Sequence, residues 1–213
     1  MIFKDREEAG EKLSELLKKD RSFIRNKKNA VVVSLLRGGV VVGNIIAKKL
    51  KVKHLPLVVT KIPAPYNPEL GIGALCFDVT YLENQTISPL SLNHFSIQSQ
   101  IKIAKNKFDL YCKKFFINKK VYSRQIKNKI IILVDDGIAT GSSIKTALLF
   151  LKTKKPKKIF LAVPVAPTDF NIKGFDKVFI LHRDPYFSSV SQFYQSFPQV
   201  EDEGIKKIIK YRR

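Results

Sequence analysis

Two adjacent carboxylates, Asp135 and Asp136, stand at the end of five consecutive apolar residues, Ile130–Val134. Behind them come Gly137-Ile138-Ala139-Thr140-Gly141-Ser142-Ser143, and then a helical pattern from Ser143 to Leu151. An unbroken apolar run of this length is the mark of a parallel strand buried on both faces. In open α/β sheets, ligands bind beyond the carboxyl ends of such strands. The glycines let backbone amides approach an anion closely. The following helix adds free N–H groups and the positive end of its dipole. Residues 139–143 therefore suit a phosphate. Carboxylates repel phosphate, so Asp135 and Asp136 should face hydroxyls or a metal ion. A sugar phosphate with free hydroxyls meets both demands.

A second stretch repeats this logic. Ala30–Leu35 reads as a buried strand, Arg37-Gly38-Gly39 as the turn at its carboxyl end, and Val40–Leu50 as the helix that follows. This is expected to be a second anion site. Lys61 falls at the carboxyl end of a further strand, Leu55–Thr60, beside the first.

The segment Val134–Ser143 resembles the phosphoribosyl-pyrophosphate (PRPP) loop of the type I phosphoribosyltransferases. The resemblance implies an α/β fold: a central, mostly parallel sheet flanked by helices, with a small hood formed by N- and C-terminal segments. It implies that Asp135 and Asp136 bind the ribose 2′- and 3′-hydroxyls, and that Ala139, Thr140, Gly141, Ser142 and Ser143 wrap the 5′-phosphate. Arg37, Gly38 and Gly39 would then hold the pyrophosphate, with a non-proline cis peptide near Leu36–Arg37, and Lys61 would neutralise the leaving group. On this reading the catalytic residues are Asp135, Asp136, Lys61 and Arg37. Mg²⁺ is the implied cofactor, held mainly by the substrate near Asp135 and Asp136. The implied activity is transfer of 5-phosphoribosyl from PRPP to a nitrogenous base or other nitrogen nucleophile, with release of pyrophosphate. The alternative is a non-catalytic PRPP- or nucleotide-sensing regulatory or nucleic-acid-binding protein on the same fold.

Three further segments resemble a group of bacterial and archaeal phosphoribosyltransferase-like proteins of uncertain substrate. They are Asp5-Arg6-Glu7-Glu8-Ala9-Gly10, Thr60–Ala74 and Phe187–Phe197, and the likeness runs from Phe3 to about Ile208. Asn67 and Glu69 sit where the type I family carries a flexible catalytic loop, whose closure excludes water. Leu36 stands where the group has Pro, and Thr60 where it often has Arg. Lys113, Lys114, Lys119 and Lys120 replace an Arg-rich stretch, supplying charge without the bidentate fork. Ala139 takes the place of an aspartate common in purine-salvage relatives, which argues against hypoxanthine-guanine activity. Tyr186 and Phe187 are the expected acceptor pocket, with Phe193 and Tyr194 near; the same aromatics equally suit the core of a small subdomain. His182, after a strand end, is expected to be structural or to line that pocket.

These residues need a frame. Ala9, Leu13, Leu16 and Leu17 have the spacing of an amphipathic helix within Phe3–Leu17. Residues 61–84 contain Pro63, Pro65, Pro68, Gly71 and Gly73, and read as an irregular segment or mobile hairpin. A helix is expected over Leu92–Phe116, then a basic linker to Asn128. Strand 129–135, helix 143–153, strands 158–163 and 176–181 and a short helix near Asp202–Tyr211 complete the series. Alternating strands and helices argue for a parallel sheet covered on both faces.

The 213 residues suit one domain, with a core over about 28–183, a flexible loop over about 61–84 and a hood or tail over about 184–213. The start, Met1-Ile2-Phe3-Lys4-Asp5-Arg6-Glu7-Glu8, is charged, and no apolar run reaches membrane-spanning length. Cys76 and Cys112 lack metal-ligand spacing. A cytoplasmic protein with no membrane association is expected, and a homodimer by resemblance. The formal net charge of +21 admits nucleic-acid binding. The basic residues are spread along the chain, however, with mild clusters at Lys152–Lys158 and Lys206–Arg213, so an A/T-rich genome is the favoured explanation.

Overall fold

The structure, a computed structural model, describes residues 1–171 and 173–210. The expected helix end at Tyr211 and the last three residues of the Lys206–Arg213 cluster lie outside the described residues. In chain order the elements are α1 (Arg6–Lys19), α2 (Arg21–Asn26), β1 (Ala30–Leu35), α3 (Gly39–Leu50), β2 (Lys53–Leu57) and β3 (Thr60–Ala64). Then come β4 (Asn67–Cys76), β5 (Val79–Leu82), α4 (Asn84–Ile87), α5 (His94–Lys114) and α6 (Lys119–Ile126). The chain continues through β6 (Ile130–Val134), α7 (Ser142–Lys152), β7 (Lys158–Pro167), β8 (Lys177–Asp184) and α8 (Asp202–Lys210).

A five-stranded sheet in the order β2-β1-β6-β7-β8 forms the centre, and every neighbouring pair in it is parallel. Its inner strands are apolar without alternation because successive side chains enter two different cores. Val31, Val33, Ile131 and Leu133 point to the side of α6 and α7, and pack with Tyr122, Ile126, Ile144 and Leu151. Val32, Ile130, Ile132 and Val134 point to the side of α1 and α3, and pack with Leu13, Leu17, Val42 and Ile46. Both faces being dry, each strand ends at its carboxyl edge in a turn that must carry the polar residues. The two sequence motifs therefore come together on one edge.

Several expectations need correction. The second strand is not one element over Leu55–Thr60. The chain leaves the parallel sheet after Leu57 and starts a separate antiparallel sheet at Thr60, ordered β3-β4-β5. Residues 61–84 are thus mostly paired strand rather than irregular loop. Gly73, which looks like a loop residue, is needed within β4: a Cβ there would come 2.2 Å from the Tyr81 carbonyl. The small sheet buries Ile62, Ala64, Ile72 and Leu75 against Ala104 and Phe108 of α5. The basic linker before Asn128 contains α6, which buries Tyr122 and Ile126 at the i,i+4 spacing of one helical face. β7 and β8 both run past their expected ends, because pairing continues through Val165↔His182 to Pro167↔Asp184. His182 accordingly lies within β8 and not after it.

Candidate active site

α7 begins where β6 has just delivered the two acids. Gly141 caps it in the left-handed region, with φ +81°, and its carbonyl accepts from Lys145 N–H at 2.9 Å. The backbone N–H groups of residues 139–144 donate to no other described residue. These orphan donors and the helix dipole point the same way, which is an anion cradle built from backbone alone. A cleft of about 280 Å³ lies over it, lined by the loop from Gly137 to Ile144, by Asp135, and by Lys61, Glu69, Gly71 and Gly73 from the small sheet. The sequence-derived residues Asp135, Ala139, Thr140, Gly141, Ser142, Ser143, Lys61 and Glu69 therefore meet around one space.

The two acids are held differently. Asp135 Oδ1 accepts from the Asp136 N–H at 2.9 Å. Burial, reinforced by the Asp136 charge, pushes the Asp135 carboxyl well above the usual carboxylate range. Asp136 Oδ2 receives Arg6 Nε at 2.7 Å, and Tyr194 donates its hydroxyl to the Asp136 carbonyl at 2.6 Å. Arg6 is itself 8% exposed; its guanidinium stacks on the Phe197 ring at 3.7 Å and donates through Nη1 to the Pro198 carbonyl at 2.8 Å. Arg6 and the Tyr194–Pro198 segment thus converge on the second acid. No group of three or more His, Cys, Asp or Glu is arranged to hold a metal among the described residues. Two adjacent carboxylates fit a Mg²⁺ that takes most of its ligands from a phosphorylated substrate.

At the 36–39 turn the Leu36–Arg37 bond is cis, as expected there. Gly38 and Gly39 lie directly beneath the acids: a Cβ on Gly38 would come 1.7 Å from Asp136 Oδ2, and one on Gly39 2.7 Å from Asp135 Oδ1. Arg37 is not brought to the cleft. Its Nε donates to the Val200 carbonyl at 2.8 Å and its Nη2 pairs with Asp202 at 2.9 Å, so it is held by the segment entering α8. Lys114 pairs with the same Asp202. Lys61 Nζ donates to the Glu69 carbonyl at 2.7 Å, and Asn67 Oδ1 accepts from Glu69 N–H at 3.1 Å, which folds the β3–β4 turn toward the cleft.

The hood is a small core of Phe3, Ala9, Val165, Phe193 and Tyr194, with Phe187 and Phe197 packed on it. Phe3 pairs with the tail through the Phe193 carbonyl and the Gln195 N–H. Phe187 rests on Phe193 at 5.2 Å between ring centroids, while Tyr186 is 88% exposed. Neither lines the cleft; Val190 does, lying against Gly137. His182 pairs with Asp184 at 3.1 Å and packs edge-on to Phe193. Sequence reasoning missed Arg6, Glu83 and Lys145. Lys145 and Ser142 both reach Glu83, at 3.1 and 3.5 Å, tying α7 to the small sheet. Only Arg6 had a signal, as part of the Asp5–Gly10 motif.

Residues 99–177 match the family model for the phosphoribosyl transferase domain. Two Mycobacterium tuberculosis proteins, each named "Putative phosphoribosyl transferase", are 31% identical over 208 residues, 96% of this chain. The chain spans about half the length of these relatives, 45%. The crystal structure of TT1426 from Thermus thermophilus superposes with a TM-score of 0.73 at 27% identity, covering 100% of this chain and 99% of that one. With the parallel sheet and the acidic strand end, these likenesses place the chain on the type I phosphoribosyltransferase fold, and its residues 99–177 are similar to the phosphoribosyl transferase domain.

Proposed function

We propose that this chain transfers the 5-phosphoribosyl group of PRPP to a nitrogen nucleophile and releases pyrophosphate. The observation that carries the reading is the single cleft shared by Asp135, Lys61 and the unpaired N–H groups of 139–144. The 5′-phosphate sits on the backbone of Ala139–Ser143, with the Thr140, Ser142 and Ser143 hydroxyls as further donors. Asp135 and Asp136 accept from the ribose hydroxyls and fix the ring beneath its anomeric carbon. As the bond to pyrophosphate breaks, that carbon becomes electron-poor and the two carboxylates stabilise it. Lys61 and the Gly38–Gly39 turn meet the departing charge. A bound Mg²⁺ would supply further charge neutralisation on the pyrophosphate oxygens. Catalysis on this account is positioning and electrostatics, with little asked of a protein acid or base.

The acceptor is a nitrogen base entering under the hood beside Val190. Glu69, near the start of β4, lines the same cleft. The decisive experiment is thermal unfolding with PRPP, with and without Mg²⁺, for the wild type and an Asp135→Asn/Asp136→Asn variant. Saturation at a hundred times the dissociation constant should add about 2.7 kcal/mol to the wild type and nothing to the variant. Acceptor-dependent pyrophosphate release would then identify the base. A wild type indifferent to PRPP would refute the reading.

A further inference from the structure

The cation expected at the pyrophosphate end is Arg37, yet its side chain is turned to the segment entering α8, where it meets the Val200 carbonyl and Asp202. Arg6 lies at the same turn from the opposite side. A Cβ on Gly38 would come 2.8 Å from Arg6 Nε and 1.7 Å from Asp136 Oδ2, so the Arg6–Asp136 pair rests directly on the Gly38 backbone. Resting on the transferase reading above, we propose that Arg6 is the arginine this chain presents to the pyrophosphate of PRPP, in the place the sequence suggests for Arg37.

Three features argue for it. First, the Arg6 side chain is only 10% exposed and is clamped by the stack on Phe197 and the bond to Pro198, so its planar fork is oriented before any ligand arrives. Second, Nε and Nη1 have partners, whereas Nη2 donates to none of the described residues. A guanidinium presents paired N–H donors well matched to phosphate oxygens. Third, the turn lies beside two carboxylates that would repel a polyanion. Arg6 neutralises Asp136, and Lys61 lines the cleft that Asp135 also lines. Without Arg6 the pyrophosphate would face Asp136 uncompensated. In the free protein Arg6 pairs with Asp136; with substrate bound it bridges the acid that holds the ribose and the leaving group that departs from it.

The test compares wild type, Arg6→Lys, Arg6→Gln and Arg37→Gln in binding inorganic pyrophosphate, PRPP and ribose 5-phosphate, by calorimetry. Charged hydrogen bonds of this kind correspond to about ten- to a hundredfold in affinity. Arg6→Gln should weaken pyrophosphate and PRPP by that factor while changing ribose 5-phosphate by less than about threefold. Arg6→Lys should recover part of the loss. Arg37→Gln should lower the unfolding temperature and leave pyrophosphate affinity nearly unchanged. An Arg6 that serves only to hold the hood would lower all three affinities together, in Arg6→Lys as in Arg6→Gln, and that result overturns the proposal even if the Gln variant folds poorly. So does the reverse ranking, with pyrophosphate lost in Arg37→Gln. Undiminished PRPP affinity in Arg6→Gln removes only the role of Arg6. Wild-type protein that binds no PRPP removes the transferase reading and this inference with it.

Discussion

On the proposed reading, Asp135 sets function against stability at a single residue. Its folded-state affinity for a proton is raised by burial and by the neighbouring Asp136 charge. A carboxyl whose folded pKa is raised favours the folded state while protonated, and that contribution is lost as pH climbs through the folded value. Above the ordinary carboxylate range the group therefore costs stability. Asp135→Asn should raise the Tm at pH 8, with the gain vanishing as pH falls into the ordinary carboxylate range. The same variant should lose PRPP binding. A variant less stable than wild type at pH 8 would show that another contact at Asp135 outweighs the charge. The pair of acids was legible in the sequence because two carboxylates directly behind five buried residues mark the carboxyl end of a buried strand. The contact of Arg6 was not, because it acts across 130 positions of chain: the Asp5–Gly10 motif marks the segment without naming Asp136 as its partner.

The elements that could be read were those whose burial leaves a one-dimensional trace. β1 and β6 are apolar at nearly every position because both faces of the sheet are covered, so their limits stood out. β3, β4 and β5 were hidden because Pro63 sits at a register shift and the glycines permit close strand approach, features that look like loop signals in a string. α6 was hidden because its polar residues outnumber its two buried ones. Junctions between elements were equally invisible, and Asp20 is the clearest. It caps α2 through the Phe23 N–H at 2.7 Å, accepts from Ser22 and pairs with Lys177 at the start of β8. Burial alone would raise its carboxyl; these partners outweigh it and bring the value from 3.8 down to about 2. The stability this represents is present above the unfolded value and is lost as pH falls through the folded one. Asp20→Asn should therefore cost about 2 kcal/mol at pH 7 in urea denaturation, the penalty shrinking from about pH 4 downward. A penalty that stayed constant between pH 7 and pH 3 would assign it to capping geometry and not to charge.

At the scale of the whole molecule the unusual quantity is charge. There are 39 Lys and Arg against 18 Asp and Glu, and many of the acids are engaged in ion pairs such as Asp136–Arg6, Asp202–Arg37, Glu83–Lys145 and Asp20–Lys177. The cations outnumber the acids about two to one, so most surface lysines face solvent without a counter-charge. One dense basic region is an open cleft of about 590 Å³ between α3, β2 and α8, where Lys48, Lys51, Lys53 and Lys207 surround a floor of Ala47 and Val52. A field of this sign draws polyanions to the molecule whatever the local chemistry, and salt screens it over about 10 Å at 0.1 M. On the proposed reading PRPP would feel the same field as nucleic acid and would in addition be held in the cradle by short-range hydrogen bonds, which salt weakens far less. Raising salt from about 50 to 200 mM should therefore raise KM for PRPP severalfold through slower association and leave kcat unchanged. Nucleic-acid binding over the same range should collapse by orders of magnitude, alike for every sequence, because each neutralised phosphate adds about 0.9 to the log–log salt slope. Replacing Lys48, Lys51 and Lys53 by Gln should flatten that slope by about one unit for each phosphate no longer neutralised, without altering PRPP turnover. A sequence preference that survives at about 200 mM salt would reverse the argument: the charge would then serve recognition of a nucleic acid, and the PRPP cradle would report to it instead of feeding a reaction.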